Sequence, residues 1–268
     1  MERILKGGVP YTELARGLGS EPIRVGDVLL SWFEGELPST IGAEINLGQY
    51  RIAEHTAERR TALTAALSRL ATVHPEGFAR LREFVRGLLW VELQPGTQAS
   101  SLTSSSDPAL PYVVMFSDKA RHHIPPNTVS PESSPIFLAE NLLHEAVHQS
   151  ISFHLLQNRA FTPDYSSQDS PKIEIKWRAS QGVARNQWWE IDRAFHATCV
   201  YNQLVRFRQA ELAQNDLDDG VRENLQAALE EGLPAVRYLM DQLEAYDDHF
   251  SDHGKDLLRG LRVETDQL

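Results

Sequence analysis

Two histidines four residues apart flank a glutamate in the segment His144-Glu145-Ala146-Val147-His148. On an α-helix, residues i and i+4 lie about 40° apart around the axis and about 6 Å apart along it, so both imidazoles can bind one metal ion. Glu145 then lies near the open side of the metal, where it can act on water or substrate. The segment predicts a metal centre with His144 and His148 as ligands and Glu145 as a catalytic group.

A third ligand decides the class of site, because two histidines do not hold a metal ion well. His154 completes the histidine spacing of metzincin proteases, but those enzymes need a glycine where this chain has Ile151. Without it the helix continues and carries His154 about 15 Å along the axis from His144, out of reach of the ion. The remaining candidates lie farther along the chain, and the residues alone leave the choice open among His196, Glu174, Glu190 and Asp192.

The helix that carries the motif is predicted over 135–157. Ser134 suits the N-cap position and Pro135 the first helical position, which together make a strong helix start. Apolar residues at helical spacing give this helix a buried face, namely Leu142, Leu143, Val147, Ile151 and Leu155. Such a face would hold the metal-binding residues in place.

The remaining pattern is mostly helical. Helices are predicted within 10–34 and 51–73, over 77–88 and 186–214, over 218–247 with a break near Pro234, and after Gly254. Strands are predicted at 88–93, 111–116 and 172–177, and a polar loop at 96–109. We expect an α+β protein: a predominantly helical single domain, 1–268, with a small sheet beside the metal-binding helix. It comprises a helical N-terminal region (residues 1–88), a metal-site core (89–214) and C-terminal helices (215–268).

Composition limits the partners and the compartment. The 268-residue chain has a formal net charge of −11, which argues against nucleic acid or an anionic membrane surface as a partner. Its single cysteine, Cys199, excludes an intramolecular disulfide and fits a reducing compartment. No apolar run is long enough for a membrane span. We expect a soluble cytoplasmic protein.

Further short motifs surround the metal segment. They are Ser104-Ser105-Ser106 before the strand residues Tyr112–Met115, the Trp177-Arg178 pair, and His196 followed by Tyr201 and Val205. In these features, over roughly residues 90–210, the chain resembles the HExxH-type 2-oxoglutarate-dependent peptide β-hydroxylases of bacterial peptide natural-product pathways. It departs from that family in having Lys176 before the Trp-Arg pair and in lacking an Arg-Pro step before His196.

The resemblance implies Fe(II) bound by His144, His148 and His196, with 2-oxoglutarate as cosubstrate and Glu145 orienting water or substrate. It implies hydroxylation of an unactivated carbon of a peptide or amino-acid-derived substrate, either free or presented on a leader peptide or carrier protein. The distal carboxylate of 2-oxoglutarate needs a cation, for which a planar guanidinium is well suited. The candidates for that role are Arg178, Arg185 and Arg193.

The alternative function is that of a zinc metallopeptidase. In that case Zn(II) replaces Fe(II), Glu145 is the general base that activates the metal-bound water, and Glu174 or Glu190 completes the ligand set. A glutamate as third ligand favours the peptidase, whereas His196 as third ligand favours the oxygenase.

Overall fold

The structure is a computed structural model that describes residues 22–26, 28–33, 47–98, 102–107, 111–125, 128–179 and 187–268. Contacts between residues divide the chain into two compact units, Met1–Gln149 and Ser150–Leu268. The boundary falls inside one long helix, so the single-domain organisation expected from the sequence stays a prediction. The chain is α+β, as expected, with helices and a small mixed sheet. Within these described ranges, no helix is both long and apolar enough to cross a membrane.

The first unit contains a mixed six-stranded sheet. Its strands are β1 (Ile23–Val25), β2 (Val28–Phe33), β3 (Tyr50–Ile52), β4 (Gly87–Leu93), β5 (Ser104–Ser106) and β6 (Val113–Phe116). The order is β1-β2-β4-β6-β5, with β3 paired to the end of β4. Strands β2 and β6 run parallel to β4, while β1, β3 and β5 are antiparallel to their neighbours. A smaller hairpin follows, formed by β7 (His123–Ile124) and β8 (Thr128–Val129).

Strand β4 forms the centre of this sheet. Its residues from Gly87 to Val91 are all buried, as expected for a strand covered on both faces. Gly87 is required by packing, because a Cβ at this position would overlap the ring of Phe33 on β2. The strands predicted at 88–93 and 111–116 are confirmed as β4 and β6.

Among the described residues, two helices precede β4 in the first unit. Helix α1 (Ala57–Val73) begins after Thr56, whose hydroxyl accepts a hydrogen bond from the Arg59 backbone N–H. Helix α2 (Pro75–Phe84) begins after His74, which caps it through Nδ1, with Pro75 in its first turn. The helix predicted over 51–73 therefore starts later than expected, since residues 50–52 form β3.

Helix α3 (Pro135–Asn158) carries the metal motif and confirms the helix predicted there. The Ser134 hydroxyl accepts a hydrogen bond from the Ile136 backbone N–H at 3.1 Å, as an N-cap serine does. The helix continues through Ile151 without a break, so His154 lies on the same continuous helix as His144.

The second unit is mainly helical. It contains the antiparallel pair of strands β9 (Lys172–Glu174) and β10 (Trp188–Glu190), the short helix α4 (Lys176–Ala179), and the helices α5 (Ile191–Leu212), α6 (Asp219–Glu244) and α7 (Asp252–Asp266). Helix α6 continues through Pro234, so the predicted break is wrong. Buried residues on both sides of the proline, including Ala228 and Val236, offset the missing backbone hydrogen bond by packing.

Three other segments differ from the sequence prediction. Residues 23–25 and 28–33 form the antiparallel strands β1 and β2 instead of helix, because burial from Val28 to Trp32 follows the alternation of a strand and Gly26 turns the chain at a φ of +57°. The other residues of the helices predicted in 10–34 lie outside the described ranges. The polar loop at 96–109 contains strand β5. The strand predicted at 172–177 ends at Glu174, and helix α4 begins at Lys176.

Candidate metal centre

Helix α3 brings the two motif histidines together. The ring centroids of His144 and His148 are 4.5 Å apart, with the rings at 73° to each other. From Ile136 to Ser150 every residue is buried except these two, which are half-buried. The histidines are therefore the two positions of this stretch that reach solvent, as metal ligands at an accessible site must.

Glu145 points into the protein. Its side chain is 3% exposed, and its Oε1 lies 2.9 Å from Nδ1 of His144. The same oxygen accepts a hydrogen bond from the Ser104 hydroxyl at 2.6 Å. This carboxylate is therefore held between strand β5 and the first histidine of the motif.

The charges around Glu145 keep it ionised. Burial by itself raises the pKa of Glu145, but His144, His148 and the Ser104 hydroxyl outweigh burial and lower this pKa to about 2. An ionised carboxylate only accepts hydrogen bonds, so Nδ1 of His144 is the donor in their contact. In the neutral imidazole, which is the form that binds metal ions, a proton on Nδ1 leaves Nε2 of His144 with a lone pair.

A row of polar residues on α3 fastens the helix to the first unit. The Asn141 side-chain NH₂ lies within hydrogen-bonding distance of the carbonyls of Ala120, His123 and Phe137, at 3.2, 2.8 and 2.9 Å. The Gln149 side-chain NH₂ donates to the Val113 carbonyl on β6 at 3.1 Å. Sequence reasoning missed this row, although three polar residues at i, i+4 and i+8 (Asn141, Glu145 and Gln149) inside an apolar helix were its signal.

Strand β5 is held firmly against the sheet. The Ser117 N–H donates to the Thr103 carbonyl at 3.0 Å, and the Tyr50 hydroxyl accepts from the Leu102 N–H at 2.8 Å. The Ser117 hydroxyl also donates to the Leu102 carbonyl. Ser104 therefore projects from an anchored strand and not from a surface loop.

The expected third ligand, His196, belongs to the second unit. It is half-buried on α5, next to the buried Ala194 and Phe195. Among the residues that the structure describes, no group of three or more His, Cys, Asp and Glu side chains is arranged to hold a metal ion. The assignment of His196 as third ligand stays a prediction.

The three alternative carboxylates are all engaged in the second unit. Glu174 accepts a hydrogen bond from the Gln187 amide at 3.2 Å, and Glu190 forms an ion pair with Lys172 at 3.1 Å. Asp192 accepts hydrogen bonds from the hydroxyls of Tyr165, at 2.9 Å, and Ser167. A carboxylate has two acceptor oxygens, so these contacts orient the three side chains and leave the choice of third ligand open.

His154 has surroundings of its own in the second unit. Its ring centroid lies 5.5 Å from that of His253. Burial, followed by the nearby His253, lowers the pKa of His154. The metzincin spacing depends on a break at Ile151 that α3 does not have, so His154 is excluded as a ligand.

The arginine candidates are only partly described. Arg193 is exposed, with its guanidinium carbon 5.0 Å from the centroid of the Trp189 ring. The side chain of Arg178 and the whole of Arg185 lie outside the described residues. Arg178 belongs to the short helix α4 and not to the end of the strand predicted at 172–177. Its neighbour Trp177 packs edge-to-face against Trp189, Tyr201 and Tyr238.

Comparison with known proteins identifies no family for this chain. No protein-family model matches it, and no curated protein matches it significantly. The function is therefore inferred from the geometry of the site and from the motif residues.

Proposed function

We propose that this chain is a non-heme Fe(II), 2-oxoglutarate-dependent oxygenase of the cytoplasm. It hydroxylates an unactivated carbon of a peptide or amino-acid-derived substrate in natural-product biosynthesis. The observation that carries the proposal is the orientation of Glu145, whose Oε1 is held by Ser104 and His144 and whose side chain is 3% exposed. A peptidase needs this glutamate on the open side of the metal, free to take a proton from bound water.

The two half-buried imidazoles on α3 fit a metal ion, because they project together from a helix that is otherwise buried over this stretch. His144 and His148 would hold Fe(II) in this proposal, with His196 as third ligand. Bound Fe(II) would supply O₂-dependent oxidation coupled to the conversion of 2-oxoglutarate to succinate. Glu145 acts on the metal ligand His144: it orients the imidazole and fixes its tautomer.

The cosubstrate must be anchored by a cation. Arg178 is our first candidate, because a guanidinium binds a carboxylate through two parallel hydrogen bonds. Arg185 and Arg193 are the alternatives. Arg193 already stacks on Trp189, so its use would need the guanidinium to leave that ring.

Binding and turnover test the proposal together. Metal-free protein is loaded anaerobically with Fe(II), and its binding of 2-oxoglutarate is measured by calorimetry. The sample is then exposed to air with a mixture of peptides, and succinate is measured by mass spectrometry. We expect Fe(II)-dependent binding and succinate formation, both lost in His144→Ala and retained in the control His253→Ala, since His253 is exposed.

Glu145→Gln separates the oxygenase from the zinc metallopeptidase. If the glutamate orients a ligand, this variant binds Fe(II) less tightly but still forms succinate when Fe(II) is saturating. If the glutamate is a hydrolytic base, the wild-type protein cleaves peptides with Zn(II), forms no succinate, and loses cleavage in Glu145→Gln. The second pattern would refute the oxygenase.

A further inference from the structure

Ser104 lies 41 residues before Glu145 in the chain and contacts it directly. Its hydroxyl donates to Glu145 Oε1 at 2.6 Å, a short distance typical of a hydroxyl bound to a charged acceptor. Nδ1 of His144 reaches the same oxygen at 2.9 Å. Ser104, Glu145 and His144 thus form a continuous chain of two hydrogen bonds that ends on a predicted metal ligand.

The serine is itself held in position. The side chain of Asn141 directs its NH₂ to backbone carbonyls, so its Oδ1 faces the Ser104 hydroxyl at 3.3 Å as a competing acceptor and does not itself hold the serine. The backbone of Ser104 pairs with Phe116 in the antiparallel register of β5 and β6. A serine has one hydroxyl proton, and the shorter contact, to the carboxylate, is the one that receives it.

We propose that Ser104 is a positioning residue of the metal centre. Its hydroxyl fixes the side chain of Glu145, and Glu145 in turn holds the Nδ1–H tautomer of His144. In this tautomer Nε2 is the nitrogen that binds the metal ion. This inference rests on the proposed function in placing a metal ion at His144 and His148, and Ser104 does not touch that ion.

Removal of the hydroxyl has a specific consequence. Without it the Glu145 carboxylate keeps one of its two hydrogen-bond donors and is free to change rotamer. His144 then also populates the Nε2–H tautomer, which cannot bind a metal ion through that nitrogen. Changes to groups that orient a ligating histidine typically cost about 10–100-fold in metal affinity.

The first test measures metal affinity. Co(II) and Fe(II) binding by the full chain is measured in competition with a chromophoric chelator. Ser104→Ala is expected to bind about 10–100-fold more weakly than the wild type, while Ser104→Thr, which keeps the hydroxyl, restores most of the affinity. Ser105→Ala is the matched control, because successive residues of a strand face opposite sides, and it is expected to bind like the wild type.

The second test measures the tautomer and does not depend on activity. Protein labelled with ¹⁵N-histidine is studied without metal, at a pH high enough that His144 is neutral, by long-range ¹H–¹⁵N correlation, with His144 assigned from the spectrum of His144→Gln. We expect the Nδ1–H form in the wild type, Ser104→Thr and Ser105→Ala, and a mixture of both forms in Ser104→Ala. Thermal unfolding of each variant separates this effect from misfolding.

The outcomes separate the two proposals. Unchanged metal affinity or an unchanged tautomer in folded Ser104→Ala would overturn the role of Ser104. A weaker affinity and a mixed tautomer support that role, even if the wild type makes no succinate, in which case the oxygenase proposal alone fails. If the wild type binds neither Co(II) nor Fe(II), the metal centre and the positioning role fail together.

Discussion

Asn141→Ala is expected to destabilise the protein strongly. The Asn141 NH₂ donates hydrogen bonds to two carbonyls outside its own helix, those of Ala120 and His123. It also lies within hydrogen-bonding distance of the Phe137 carbonyl one turn earlier. The Asn141 side chain is 1% exposed, so water cannot replace it. A buried carbonyl left without a donor costs about 1–3 kcal/mol, so two of them predict a loss of roughly 3 kcal/mol in unfolding free energy.

A second asparagine provides the matched control. The Asn224 NH₂ donates to the Gly220 carbonyl one turn earlier in its own helix, at the protein surface. Water can replace this donor when the side chain is removed. Asn224→Ala should therefore change the unfolding free energy by less than about 0.5 kcal/mol. The comparison isolates the two contacts that Asn141 makes outside α3.

Urea unfolding followed by circular dichroism measures both variants. A loss of roughly 3 kcal/mol lowers the urea midpoint by about 1 M or more at typical slopes. Asn141→Asp should be at least as damaging at neutral pH, because it places a carboxylate against carbonyl oxygens. If Asn141→Ala shifts the midpoint no more than Asn224→Ala does, the tertiary contacts of Asn141 contribute little and the reasoning is wrong.

Two further predictions concern stability. Gly254→Ala should destabilise the protein by more than about 2 kcal/mol, because the added Cβ would overlap the Ala160 carbonyl oxygen. Gly260 lies in the same helix, and a Cβ added there meets nothing within 4 Å. Gly260→Ala should therefore be neutral or slightly stabilising in thermal unfolding. Burial raises the pKa of Asp118, but the hydrogen bond and charge of Arg59 outweigh it and hold this pKa below its ordinary value. Asp118 therefore adds stability above its ordinary pKa, and this contribution is lost as the pH falls through the lowered value. Because Asp118 is about half exposed, we expect at most about 1 kcal/mol. Unfolding free energies measured between pH 2 and 7 should fall less steeply below pH 4 for Asp118→Asn than for the wild type; equal slopes would contradict this.

Local features of the chain were predictable from the sequence. Ser134 and Pro135 start helix α3 where expected, and the four-residue spacing of His144 and His148 places their rings together. Both results depend on hydrogen bonds within one or two helical turns, so neighbouring residues suffice to determine them. The continuation of the helix through Ile151 follows for the same reason.

Hairpins and short strands were less predictable. The β1–β2 hairpin was predicted as helix, and β5 as a loop, because three to six residues carry too little periodicity to separate strand from other structure. Strand β5 forms where β6 offers a free edge, which is a property of the folded sheet.

The orientation of the Glu145 side chain shows what only the tertiary structure decided. The sequence placed this carboxylate beside two histidines and left open whether it is a hydrolytic base or an orienting group. The contact with Ser104 joins residues 41 positions apart and depends on the pairing of β5 with β6 and on the packing of α3. Local spacing determines which residues share a helix face, because a helix repeats every few residues. The direction in which a buried carboxylate points depends on whichever distant donor the fold brings to it, and here that donor is Ser104.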